Sequence, residues 1–204
     1  MSSSSAPAGL YALKPWYTRR LSRALSWAVA RDVPPDAVTA AGVVAAGAAA
    51  AAVALSGTWP VLGWAVPALL AARLAGANLD GALARERDVE RPVGAVLNEV
   101  GDRASDLLVM AAVALVAPAG LALVALAAAM LPTFASLAVA AAGGPRANGG
   151  PLGKTERCVL VAVGAVVPAL WPAVLALLTI GSVVTAAVRL VTGCRALAAV
   201  GAGR

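Results

Sequence analysis

Charge is sparse in this chain. Asp, Glu, Lys and Arg make up 13% of its 204 residues, against about 25% in an ordinary soluble domain. Aromatics are scarce at 4%, while hydrophobic residues reach 61% and the mean hydropathy is +0.85. No soluble core of this size uses so much apolar surface, which excludes an ordinary soluble globule. The expected class is an all-α integral membrane domain, with little left for a separate soluble part. The two cysteines, Cys158 and Cys194, exclude a disulfide framework. Both fall near expected cytosolic helix ends, where thiols stay reduced and serve as small packing residues. A cleavable signal is also lacking. "MSSSSAPAGLYALKPW" has no charged start followed by an apolar run of about 7–15 residues, so residues 1–13 are expected to be a disordered tail.

Six apolar segments suit membrane-spanning helices, each of which needs about 20 residues. They run from about Asp36 to Leu55, Trp59 to Asp80, Gly94 to Val116, Ala119 to Ala142, Glu156 to Leu170 and Pro172 to Cys194. "SGTWP" (56–60), "APAG" (117–120) and "WP" (171–172) punctuate them with Gly and Pro. Pro67, Pro132 and Pro168 lie inside apolar runs, which membrane helices tolerate when neighbours satisfy the freed carbonyls. The membrane domain is expected over 33–197, with a short tail at 198–204.

No Lys or Arg occurs in the 1–2, 3–4 or 5–6 connections. All sixteen lie in the N-terminal segment, in or beside the 2–3 and 4–5 connections, or near the C-terminus. Positive residues mark the cytoplasmic side, so the expected topology is multi-pass with both termini cytoplasmic. The net charge of +6 then belongs to one membrane face, facing anionic lipid. Nucleic acid is not an expected partner, because the basic residues lie against a bilayer. Before the first span, residues 14–32 place Trp16, Leu21, Leu25, Ala28 and Val29 on one helical face, with Arg19, Arg20 and Arg23 on the remainder. This pattern predicts an amphipathic helix in the interface plane.

Residues 77–106, "ANLDGALARERDVERPVGAVLNEVGDRASD", hold seven of the ten acidic residues. Asn98, Asp102 and Asp106 recur every four residues and are expected to share a helix face, with Glu99 beside them. Carboxylates in a membrane helix are costly and need a positive partner. Arg73, Arg85, Arg87, Arg91 and Arg103 could supply it, as could a hard divalent cation. Oxygen ligands suit magnesium or manganese, and magnesium often bridges carboxylates and substrate phosphates. Gly81 and Ala84 leave room beside the carboxylates for a ligand.

"DGALAR" (80–85) and "GAVLNEVGD" (94–102) resemble the CDP-alcohol phosphatidyltransferase signature D-x2-D-G-x2-A-R-x8-G-x3-D-x3-D. "PPDAVTAAG" (34–42) is similar to the family's Pro-Asn-x-x-Thr start of its first helix. Six membrane helices after an amphipathic one are also the family's plan. Two signature aspartates are replaced, by Ala77 and Asn98; Asp80 and Asp102 remain. The replacement resembles a bacterial subgroup with Asn-Glu and a trailing Ser-Asp.

The resemblance implies Mg2+ or Mn2+ at Asp80, Asn98 and Asp102, with Glu99 and Asp106 as candidates to restore the lost charge. Asp102 is implied as the general base. Thr39, Asn78, Asp80, Gly81, Ala84, Arg85 and Gly94 are implied at the nucleotide and diphosphate. The implied partners are a CDP-diacylglycerol-like lipid, an alcohol or phospho-alcohol acceptor and the bilayer, with CMP released. The implied site lies at the cytoplasmic face of the inner membrane. A homodimer is common in the family, but small residues are spread over every helix and mark no interface.

Lys154, Arg157 and Arg189 are candidates for the acceptor. Arg189 could instead snorkel to the interface or pair with Asp102 or Asp106. Asp36 suits a helix N-cap. Two rival readings stand beside the enzyme. One is a catalytically silent relative that binds CDP-lipid or acts as a scaffold, favoured by Ala77 and Asn98. The other is a transporter, which would need paired broken helices or an inverted repeat that the sequence does not display.

Overall fold

The computed structural model describes residues 14–201, with side-chain environments for 21–199. The tail at 1–13, the last three residues, and the side chains of Trp16, Arg19 and Arg20 lie outside the described residues. Seven α-helices follow one another: α1 (Lys14–Ala30), α2 (Pro35–Ser56), α3 (Val66–Glu86), α4 (Pro92–Val116), α5 (Ala119–Ala141), α6 (Lys154–Val166) and α7 (Trp171–Gly201). Short 3₁₀ turns at Pro60–Ala65 and Pro168–Leu170 lead into α3 and α7. No strand occurs among the described residues.

Proline sets most helix starts. Pro35, Pro67 and Pro92 stand in the first turns of α2, α3 and α4, where a missing N–H costs nothing. Pro132 alone remains inside a helix, α5. Asp36 is not an N-cap. Pro34 holds that position, and the Asp36 carboxylate pairs with Arg91 at 2.6 Å. Asp80 does not end its helix either; α3 continues to Glu86, so the whole of "DGALAR" is helical. α7 likewise runs past Cys194 to Gly201.

Among the described residues, four helical stretches are long and apolar enough to cross a membrane: 35–56, 60–86, 119–141 and 168–199. The predicted third and fifth spans fall short of that standard. α4 carries Glu99, Asp102, Arg103 and Asp106 within its first fifteen residues, and α6 has 13 residues. Val44, Leu115 and Phe134 are among many large apolar side chains on the outside of the bundle, as expected where lipid is the solvent. α1 packs on α3, with Leu21, Leu25, Ala28 and Val29 turned inward and Arg23 exposed.

The bundle is organised about α2, which lies along both α3 and α4; α5 lies along α7. The crossings run through small residues. A Cβ on Gly76 would stand 2.9 Å from the Gly42 Cα, so α2 and α3 touch backbone to backbone. A Cβ on Gly101 would stand 3.3 Å from the Thr39 Cγ2, so α4 also approaches α2 closely. These contacts bring Thr39, one turn before Gly42, to Asp80, one turn after Gly76. The packing of the fold thus sets the geometry of the site.

Candidate active site between α2, α3 and α4

Thr39, Asp80, Asn98 and Asp102 line one cleft of about 210 Å³, together with Arg73 and Ser105. Asp80 is 97% buried. Its Oδ2 accepts the Thr39 hydroxyl at 2.7 Å, and its Oδ1 accepts the Gly81 N–H at 2.6 Å and, distantly at 3.5 Å, the Asn98 amide. Among the described residues no Lys or Arg nitrogen lies within 4.0 Å of Asp80. A buried carboxylate with hydrogen bonds but no counter-charge retains much of its desolvation penalty. Asp102, on the facing helix, differs. Lys154 Nζ donates to its Oδ2, and Arg73 Nη2 lies 3.9 Å from its Oδ1.

One turn further along α4 the surroundings become cationic. Asp106 Oδ1 accepts Arg73 at 2.7 Å, and its Oδ2 meets Arg157 at 2.9 Å and Arg103 at 3.0 Å. Arg73 also donates to the Asp102 backbone carbonyl at 3.2 Å and to Cys158 Sγ at 3.4 Å. This guanidinium is 98% buried and ties α3 to α4 and α6. It also separates the cleft from a second recess, which Leu70, Met110, Val161, Arg157 and Cys158 help to line. Such a role for Arg73 is foreshadowed by its seven-residue spacing from Asp80, which puts both on one face of α3.

The structure therefore divides the expected metal set. Asp80, Asn98 and Asp102 come together. Asp106 is turned away into the arginine cluster, and Glu99 pairs with Arg146 and Arg103. Among the described residues no three acidic, Cys or His side chains gather around one point. The donors that do converge are two carboxylates, an amide and a hydroxyl. That set suits a hard divalent ion whose shell is completed by substrate phosphate oxygens, a common arrangement for magnesium. The resemblance-derived residues separate in the same way. Gly81 and Ala84 lie beside Asp80 on α3, whereas Arg85 is exposed. The Asn78 amide folds back on the Leu74 carbonyl at 2.7 Å. Gly94 has open space around its Cα.

The acceptor candidates also part company. α6 starts where the Gly153 N–H donates to Glu156 Oε2 at 2.9 Å. That start carries Lys154 to Asp102 and Arg157 to Asp106. Arg189 pairs with neither aspartate. It donates to the Gly149 and Pro132 carbonyls at 2.8 and 3.0 Å and to the Ser136 hydroxyl at 3.1 Å, joining α7 to α5 and the 143–153 loop.

No family model matches the chain. It is 28% identical over 165 residues to the inner membrane protein YnbA of Escherichia coli (strain K12), covering 80% of this chain and 82% of that one. Among solved structures it is similar to Mycobacterium tuberculosis phosphatidylinositol phosphate synthase (PgsA1). The complex with manganese and citrate superposes with a TM-score of 0.71 at 27% identity, covering 84% of this chain and 87% of that one. The CDP-DAG-bound form gives 0.63 at 25%, covering 88% and 92%. By sequence, this chain thus resembles an inner membrane protein; by structure, its neighbours are crystal forms of a CDP-alcohol phosphatidyltransferase.

Proposed function

We propose that this chain is a membrane phosphotransferase, moving a phosphatidyl or related phospho-alcohol group from a CDP-linked lipid to an alcohol acceptor with release of CMP. The observation that carries this reading is the convergence of Asp80 and Asp102 from facing helices on one cleft, with Thr39, Asn98 and Arg73. The sequence signature joins the same two aspartates, and the neighbouring synthase has been crystallised with manganese and with CDP-DAG.

Asp80, Asn98 and Asp102 would hold Mg2+ or Mn2+, which when bound neutralises phosphoryl oxygens and polarises the phosphorus. Thr39 fixes the Asp80 carboxylate through its hydroxyl. Lys154 occupies Asp102 Oδ2, so Oδ1 would be the proton acceptor. Asp102 takes the hydroxyl proton of the acceptor, the acceptor oxygen bonds to the lipid-side phosphorus, and the bridging P–O bond breaks with its electron pair leaving on CMP. Arg73 and Lys154 supply fixed positive charge where phosphoryl charge develops. Lys154 presents positive charge to an anionic acceptor, with Arg157 behind it on Asp106.

The cleft opens at the cytoplasmic face in this reading. α2 to α7 are the six spans in this reading, and α1 lies along the interface. A silent, CDP-lipid-binding relative is the second reading, favoured by the Lys154 contact on Asp102 and by the missing third carboxylate. Release of CMP from CDP-diacylglycerol, with Mg2+ or Mn2+ and a panel of alcohols, tests the enzyme against the silent relative.

A further inference from the structure

We infer that the cleft takes one divalent cation, seated against Asp80, and that the Lys154 ammonium is the resident counter-charge of Asp102, leaving no carboxylate for a second ion. The inference rests on the phosphotransfer reading above and deepens it.

The two carboxylates of the cleft are not equivalent. Asp80 is 97% buried and has neutral partners only: a hydroxyl, a backbone N–H and a distant amide. Burial without a counter-ion costs several kcal/mol, so this carboxylate is the one short of positive charge. Asp102 already has its share. Lys154 sits on Oδ2, and the Arg73 guanidinium stands 3.9 Å from Oδ1 and 3.2 Å from the backbone carbonyl. Arg73 is itself held by Asp106, so it cannot retreat from an incoming ion.

Across from Asp80, the other positions around the cleft are neutral: Thr39, Gly42, Ala77, Asn98, Gly101 and Ser105. One divalent ion supplies the counter-charge that Asp80 lacks and leaves the cleft net positive, ready for a diphosphate. A second would add two charges beside Lys154 and Arg73 with no carboxylate left to receive them. Lys154 is also placed by the fold, as the first residue of α6 behind the Gly153–Glu156 hydrogen bond, with its side chain about one-quarter exposed.

The test is a Mn2+ titration of the purified full chain in detergent, with bound ion counted by electron paramagnetic resonance. The wild type should bind one Mn2+ per chain and Asp80→Asn none. Lys154→Met should admit a second, weaker ion, whereas Lys154→Arg should stay at one. Two ions in the wild type would overturn the inference, as would Lys154→Met remaining at one through millimolar Mn2+. Should Lys154→Met fail to fold, the wild-type and Lys154→Arg counts still decide. Two ions accompanied by CMP release would sink this inference alone. No bound ion and no CMP release would sink the phosphotransfer reading with it.

Discussion

Asp106 and Arg73 face each other in one buried cluster, yet neutralising them should have unequal consequences. Asp106 is the only carboxylate directly shared by Arg73, Arg103 and Arg157, at 2.7, 3.0 and 2.9 Å. Asp106→Asn keeps the shape and one acceptor oxygen but leaves three guanidinium groups without their common anion. Removing one partner of a buried pair costs about 3–5 kcal/mol when a charge is left uncompensated. Arg103 is partly exposed, which places Asp106→Asn near the lower end, at about 3 kcal/mol. Arg73→Met is milder. Asp106 keeps two arginines, so no charge is left unpaired; the loss is the bonds to Asp106, the Asp102 carbonyl and Cys158, of which the bond to Asp106 is worth about 1.5–3 kcal/mol. Relief of repulsion among the arginines returns part of that. Unfolding in mixed micelles by tryptophan fluorescence, for which the chain has five tryptophans, should therefore rank Asp106→Asn as the more destabilised. Mn2+ binding should survive in Asp106→Asn, because that carboxylate faces the arginines rather than the cleft. If Arg73→Met were the more damaging, or if Asp106→Asn lost the ion, this account of the cluster would be refuted.

Other outcomes follow from single contacts. Thr39→Val removes the 2.7 Å bond to Asp80; it should lower stability by about 1–2 kcal/mol and weaken Mn2+ binding, with Thr39→Ser restoring both. Gly76→Ala would set a Cβ 2.9 Å from the Gly42 Cα, forcing α2 off α3; a loss of about 1–3 kcal/mol and of Mn2+ affinity is expected. Gly164→Ala would meet the Trp171 ring at 2.5 Å, so a lowered melting temperature with a shifted tryptophan emission should identify it. Arg189→Ala should speed limited proteolysis of the 143–153 loop, which Arg189 ties to α7 and α5, while Mn2+ binding stays unchanged.

Much of the site was legible because its residues lie at fixed offsets along two helices. The signature spacing unites Asp80, Asn98 and Asp102, and the structure brings those three to one cleft with Thr39. Asp106 stands apart from the other three for a geometric reason. At 3.6 residues per turn a four-residue step falls about 40° beyond a full turn, so Asp106 stands about 80° around α4 from Asn98. That rotation carries it from the side of Asp80 to the side of Arg157. Lys154 on Asp102, and Arg146 on Glu99, join positions about fifty residues apart, and no local pattern announces such pairs. Helix ends were missed where hydropathy and helicity part. "GALARE" (81–86) is too polar for a membrane interior, yet Ala, Leu, Arg and Glu are strong helix formers, so α3 continues past Asp80. The short α6 ended early because Pro168 removes an N–H and enforces a 3₁₀ turn.

The central claim is that the facing carboxylates of α3 and α4 support metal-dependent phosphotransfer. CMP release from CDP-diacylglycerol by the purified chain, measured with and without Mn2+ across an alcohol panel, tests it most directly. The wild type should release CMP only in the presence of the ion, and folded Asp80→Asn or Asp102→Asn should release none. CMP release that persists in folded Asp102→Asn, or that ignores removal of the ion, would contradict it.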